Sequence, residues 1–146
     1  MRIVDTCAHC GNEVREYDRH ISRGQAISLG RLYLVTRQAL EDSGWVDGTP
    51  VPPLPFFHLP TVIGRRSSEE HKLVSWGLIE EERIFRPDGG RAGYWRITLR
   101  GRAYVLGLLS VPYTAVTGPR NTLVRFDGPL RDIHAAYGEP FDLRNI

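Results

Sequence analysis

Between Ser22 and about Asp42, apolar residues recur at spacings of three and four. Ala26, Leu29, Leu32, Tyr33, Ala39 and Leu40 fall on one side, and Arg23, Arg31 and Arg37 mostly on the other. The pattern predicts a long amphipathic helix, capped by the Ser22 side chain and ended at Ser43-Gly44, where glycine takes the left-handed conformation. Its apolar stripe belongs to a core or to a homodimer seam. Gly48-Thr49-Pro50-Val51-Pro52-Pro53-Leu54-Pro55 then excludes helix and central strand, because proline fixes φ and removes a donor. Residues 48–55 read as a stiff extended linker that delivers Phe56 and Phe57 to the body.

A denser block follows. Leu59-Pro60-Thr61-Val62-Ile63 predicts a short helix with proline in its first turn and Gly64 as its stop. Ser67-Ser68-Glu69-Glu70 fits a capping box, with Ser67 as cap and Glu70 bonding back, for a second helix that runs through Trp76 to Gly77. Two helices joined by a brief glycine-containing turn make a helix-turn-helix. Leu78 to Arg86 reads as a strand, 87–93 as a glycine-rich loop, and Tyr94-Trp95-Arg96-Ile97-Thr98 as a returning strand with Trp95 and Ile97 on one face. Thr98 caps a last helix containing Ala103, Tyr104, Val105 and Leu106.

The runs Leu73-Val74-Ser75-Trp76-Gly77-Leu78-Ile79-Glu80 and Tyr94-Trp95-Arg96-Ile97-Thr98-Leu99-Arg100-Gly101-Arg102 resemble MarR-like and PadR-like winged-helix regulators. The block is also similar to small bacteriophage-encoded winged-helix proteins of unassigned role, some of which carry an N-terminal Cys-x-x-Cys-Gly and a C-terminal β segment. The resemblance spans about fifty residues. It implies an α+β fold: a winged helix-turn-helix with an N-terminal Cys-x-x-Cys turn and a C-terminal β-hairpin extension. The corresponding division is 1–20, 21–109 and 110–146. In the last part, Val111 to Phe126 reads as a hairpin turning at Gly118-Pro119-Arg120-Asn121 and closed by Asp127-Gly128. Leu130 to Tyr137 reads as a short helix before a frayed tail.

Such a fold implies duplex DNA as partner, with the second helix in the major groove and the wing on the backbone or minor groove. The candidate contacts are Arg65, Arg66, Ser67, Ser68, His71 and Lys72 near the helix start, and Arg86 and Arg91 on the wing. The formal net charge of the 146 residues is only +2, but Arg65 to Arg102 holds nine basic against six acidic residues. Lys72 is the sole lysine among nineteen basic residues, so nearly every cation is a guanidinium suited to bidentate phosphate and guanine contacts. Glu69, Glu70 and the Glu80-Glu81-Glu82 run oppose DNA, and with the proline-rich segment they favour the alternative, a phage-type protein that binds and modulates a host protein.

Cys7 and Cys10 flank a tight turn resembling one zinc knuckle, but a four-ligand site would need two more ligands, with His20 the first choice for a third. No metal and no cofactor is expected. No P-loop, Gly-x-Ser-x-Gly or His-Glu-x-x-His pattern occurs, so an enzyme is not expected either. No apolar run reaches membrane-spanning length and no signal-peptide pattern is present, which gives a cytoplasmic expectation with no membrane partner.

Overall fold

The Cys7–Asn12 segment closes a hairpin between strands β1 (Arg2–Thr6) and β2 (Glu13–Arg19). The Cys7 amide donates to the Asn12 carbonyl at 2.7 Å and the Gly11 amide to the Cys7 carbonyl at 2.9 Å. Gly11 has φ +71°, the left-handed region that this tight turn requires. The computed structural model describes residues 1–83 and 93–146.

Helix α1 (Arg23–Asp42) starts with a full capping box: the Ser22 hydroxyl accepts from the Gln25 amide, and the Gln25 side chain accepts from the Ser22 amide. Ala26, Leu29, Leu32, Tyr33 and Leu40 are buried, whereas Arg23, Arg31 and Arg37 are exposed. The apolar stripe is covered by this chain's own elements. A turn through Gly48, where the Thr49 amide donates to the Val46 carbonyl at 3.1 Å, and an irregular proline-rich stretch lead to β3 (Phe57–His58), α2 (Leu59–Ile63), a 3-10 helix (Glu70–Trp76), β4 (Ile79–Glu81), β5 (Tyr94–Ile97) and α3 (Leu99–Val105). Strand β3 was not foreseen. It pairs Phe57 with Trp95, and β5 in turn pairs Ile97 with Ile79, giving an antiparallel sheet of order β3-β5-β4.

The second helix departs from the sequence expectation. It is a seven-residue 3-10 helix rather than an α-helix, and no side chain caps it. Glu70 cannot reach back to a cap because it is buried against α1, where the Ser28 hydroxyl donates to it at 2.8 Å. Ser67 is turned instead toward His71, with 3.1 Å between Oγ and Nε2. A buried carboxylate satisfied by α1 and Arg65 has replaced the capping box.

Strands β6 (Val111–Thr117) and β7 (Leu123–Arg131) form a hairpin around Gly118–Asn121. β7 runs on past Asp127-Gly128, which therefore do not close the hairpin. β2 pairs with β6 through Tyr17–Thr117, Asp18–Val116 and Arg19–Ala115. The two ends of the chain thus share one antiparallel sheet, β1-β2-β6-β7. One set of charges crosses it: Glu16 receives Arg2 at 3.3 Å and Arg125 at 3.2 Å. Helix α4 (Ile133–Tyr137) follows, capped by the Asp132 carboxylate. The tail after it does not fray. Phe141 is buried, and a Cβ at Gly30 would come within 2.8 Å of its ring and 2.6 Å of Ile146 Cδ1. A side chain at position 30 would displace this docked tail.

The whole is an α+β arrangement in which α1, the 3-10 helix, α3 and the two sheets share one core around Leu29, Leu73, Trp76, Ile97 and Tyr104. Among the described residues no helix is long and apolar enough to cross a membrane.

Candidate nucleic-acid interface

Gly64 ends α2 with φ +75° and turns the chain outward into Arg65-Arg66-Ser67-Ser68. Arg65 folds back at once: its guanidinium reaches Glu70 Oε1 at 2.5 Å and Ser28 Oγ at 3.3 Å. Half of that side chain still faces solvent, while Glu70 is 1% exposed. The Lys72 ammonium pairs with Glu69 at 2.9 Å and holds that carboxyl below its usual range. The Glu69 backbone carbonyl is in turn tied to α1 by the Gln25 amide at 2.7 Å.

Of the residues singled out in the sequence, Arg66, Ser68 and His71 stand exposed. Of the other three candidate contacts, Ser67 is buried, and Arg65 and Lys72 are already paired with carboxylates. His71 is stacked on Trp95 with 4.8 Å between ring centroids, which fixes its orientation on the outer face of the 3-10 helix. Arg86 and Arg91 lie outside the described residues.

The far end of the 3-10 helix is tied to α3. Gly77 has φ +72° and permits the reversal into β4. The Thr98 hydroxyl donates to the Gly77 carbonyl at 2.5 Å, and Arg100 Nε to the Trp76 carbonyl at 2.9 Å. Gly101 packs against Leu78 so closely that a Cβ would collide with its carbonyl oxygen and lie 2.8 Å from Ile97 Cγ1. These contacts set the helix at a fixed angle to β4 and β5.

Beside the helix runs an open groove of about 620 Å³ whose walls include His71, Val74, Glu81, Arg83, Arg120 and Asn121. Arg83 and Arg120 have no carboxylate partner among the described residues. Glu80, also on the groove, is neutralised by Arg96 at 3.1 Å, so part of the acidic run is compensated within the sheet. Sequence reasoning missed Arg83 and Arg120. Arg120 sits at the tip of the β6–β7 hairpin with φ +58°, forty-six residues past the 3-10 helix residue Val74 that lines the same groove. The Gly118-Pro119-Arg120-Asn121 turn marks a tip, but its place on the groove follows from the packing of β6 on the 3-10 helix, where Trp76 Nε1 donates to the Pro112 carbonyl at 2.8 Å, and no local pattern encodes that.

In the β1–β2 turn, Cys7 and Cys10 are free thiols. The backbone amides of Cys10 and His9, with the Cys10 thiol, hold the Cys7 thiol below its ordinary range. His20 is excluded as their partner, because extended β2 separates it from the turn by roughly 20 Å at about 3.3 Å per residue. Its Nε2 lies 3.1 Å from the Thr114 hydroxyl instead. Among the described residues no cluster of three or more His, Cys, Asp or Glu side chains is arranged to hold a metal ion.

A scan against protein-family models finds no match, and searches of curated proteins and of solved structures give no significant match.

Proposed function

We propose that the protein is a non-enzymatic winged-helix protein that binds duplex DNA and acts as a transcriptional regulator. The observation that carries this reading is the succession α1, β3, α2, 3-10 helix, β4, β5, with strand order β3-β5-β4 and α3 packed behind. In a winged helix that succession presents the outer face of the second helix, with the β4–β5 connection beside it as the wing. Arg66, Ser68 and His71 then meet the duplex from the helix and the turn before it, and Arg83 and Arg120 contact the phosphates across the groove. Guanidinium groups without acidic partners can exchange counterions for phosphate at little cost. Binding of a random-sequence duplex at two salt concentrations tests the reading.

A second reading is that the same face engages a protein, as in a phage product that modulates a host factor. It is favoured by the internal pairing of Arg65 and Lys72 and by Val74, which leaves 46% of its surface exposed on the helix. Binding that is absent or insensitive to salt selects this alternative.

A further inference from the structure

The β1–β2 hairpin runs past the sheet that anchors it. β2 is paired with β6 only from Tyr17 to Arg19, and after Thr117 the chain of β6 turns back at Gly118. Beyond Tyr17 the two strands continue as an arm, roughly 13 Å from Tyr17 to Glu13 at about 3.3 Å per residue, and then into the Cys7–Asn12 turn. Apart from Cys7, which is half-buried, every residue from Met1 to Arg15 is exposed. A two-stranded ribbon without an apolar cover is marginal in water, and a cross-link at its tip would hold it.

That tip is built as half of a tetrahedral thiolate site. Cys7 and Cys10 are both unoxidised, and they are the chain's only two cysteines. The Gly11 amide closes the turn on the Cys7 carbonyl at 2.9 Å, and the left-handed Gly11 carries the backbone on into β2. In this turn the amides of His9 and Cys10 and the Cys10 thiol all gather on the Cys7 sulfur. Amides aimed at a sulfur favour the thiolate, the form that ligates a soft divalent metal. No third His, Cys, Asp or Glu ligand joins the pair among the described residues, and His20 is engaged with Thr114 at the far end of β2. One chain therefore leaves such an ion two ligands short.

We propose that Cys7 and Cys10 from two copies of this chain bind one zinc ion between them, as four thiolates at about 2.3 Å, and that the ion joins the copies arm tip to arm tip. A two-fold axis through the ion makes the two half-sites equivalent, so each chain supplies its two thiolates and no other ligand. The length of the arm lets the tips meet while the two bodies stay apart. Each thiol releases its proton to solvent as the ion binds. The ratio is one zinc to two chains, and a separate chain holds none. The site does not depend on DNA binding.

The full chain, stripped of metal with a chelator and kept reduced by a phosphine, is titrated with zinc sulfate while its mass is followed by light scattering. Uptake is expected to stop at about 0.5 zinc per chain, with the mass rising from one chain to two and excess chelator reversing both. Cobalt in place of zinc should give the strong thiolate-to-metal charge-transfer bands and the ligand-field bands of a tetrahedral four-sulfur site. Cys7→Ser and Cys10→Ser lie in a solvent-facing turn outside the core. Each should abolish both uptake and doubling, with the thermal midpoint of the metal-free chain unchanged. No uptake by the reduced chain, uptake of one zinc per chain, uptake without a doubling of mass, or a doubling that survives Cys10→Ser would each overturn the assignment.

Discussion

Glu70 is held at the heart of the helical layer by Arg65, five residues earlier, at 2.5 Å, with the Ser28 hydroxyl of α1 completing its hydrogen bonds. The pair fixes the turn between α2 and the 3-10 helix. Removing the cation leaves a buried carboxylate with one hydroxyl for company. Because half of the Arg65 side chain faces water, the cost is discounted to about 1–3 kcal/mol. Arg65→Ala should therefore lower the denaturant midpoint, and Glu70→Gln combined with it should recover part of the loss. An unchanged midpoint in Arg65→Ala would show that the pair does not organise the turn.

The glycines separate into those that need their hydrogen and those that do not. A Cβ at Gly101 would meet the Leu78 carbonyl and Ile97, so Gly101→Ala should cost about 1–3 kcal/mol or more by overpacking. At Gly24, in the first turn of α1, a Cβ meets only the Ser22 hydroxyl oxygen at 3.9 Å. Gly24→Ala should raise stability by about 0.4–1 kcal/mol through the unfolded state. Thermal melts of the two variants should move in opposite directions, and movement in the same direction would contradict the packing described.

Trp95 is buried on β5, stacked on His71 and paired across the sheet with Phe57. Trp95→Ala should cost about 3–5 kcal/mol. A variant that unfolds at the wild-type midpoint would place that strand face outward.

Local signals carried much of the fold. Ser22 before α1, Gly64 after α2, Gly77 before β4 and Thr98 before α3 each perform the local task that their residue type suggested. What failed was what depends on remote partners. Ser67 and Glu70 have the spacing of a capping box, but Ser28, forty-two residues before Glu70, offers that carboxylate a buried donor. Phe57 and His58 become a strand only because β5 lies beside them, and the β2–β6 pairing joins residues about a hundred positions apart. Among the contacts proposed here, the exposure of Arg66, Ser68 and His71 at the start of the 3-10 helix follows the local pattern. Arg120 was not, since its place beside the helix is a product of tertiary pairing.

Cys7 should behave as an activated thiol. With its pKa lowered by the amides of Cys10 and His9 and by the Cys10 thiol, more thiolate is present at neutral pH than for a free cysteine. The pH profile of its alkylation by iodoacetamide, read by mass spectrometry, should have its midpoint below that of free cysteine. A midpoint at or above that value would contradict the turn geometry. The same preparation, made without chelator or metal-affinity tag, should contain well under about one zinc per chain, since among the described residues no third His, Cys, Asp or Glu ligand joins Cys7 and Cys10 toward the four that a structural site requires. Stoichiometric zinc lost in Cys10→Ser would reverse that prediction.

The central claim is tested most directly by fluorescence anisotropy of a random-sequence duplex at about 50 and 200 mM salt. Three or so phosphate contacts predict measurable affinity at the lower concentration, falling about 10- to 100-fold at the higher. Arg66→Gln and Arg120→Gln should each reduce the slope of log affinity against log salt by about one while leaving thermal stability unchanged. No binding at 50 mM salt, or binding that is indifferent to salt and to both substitutions, would contradict the DNA reading and select a protein partner for this face.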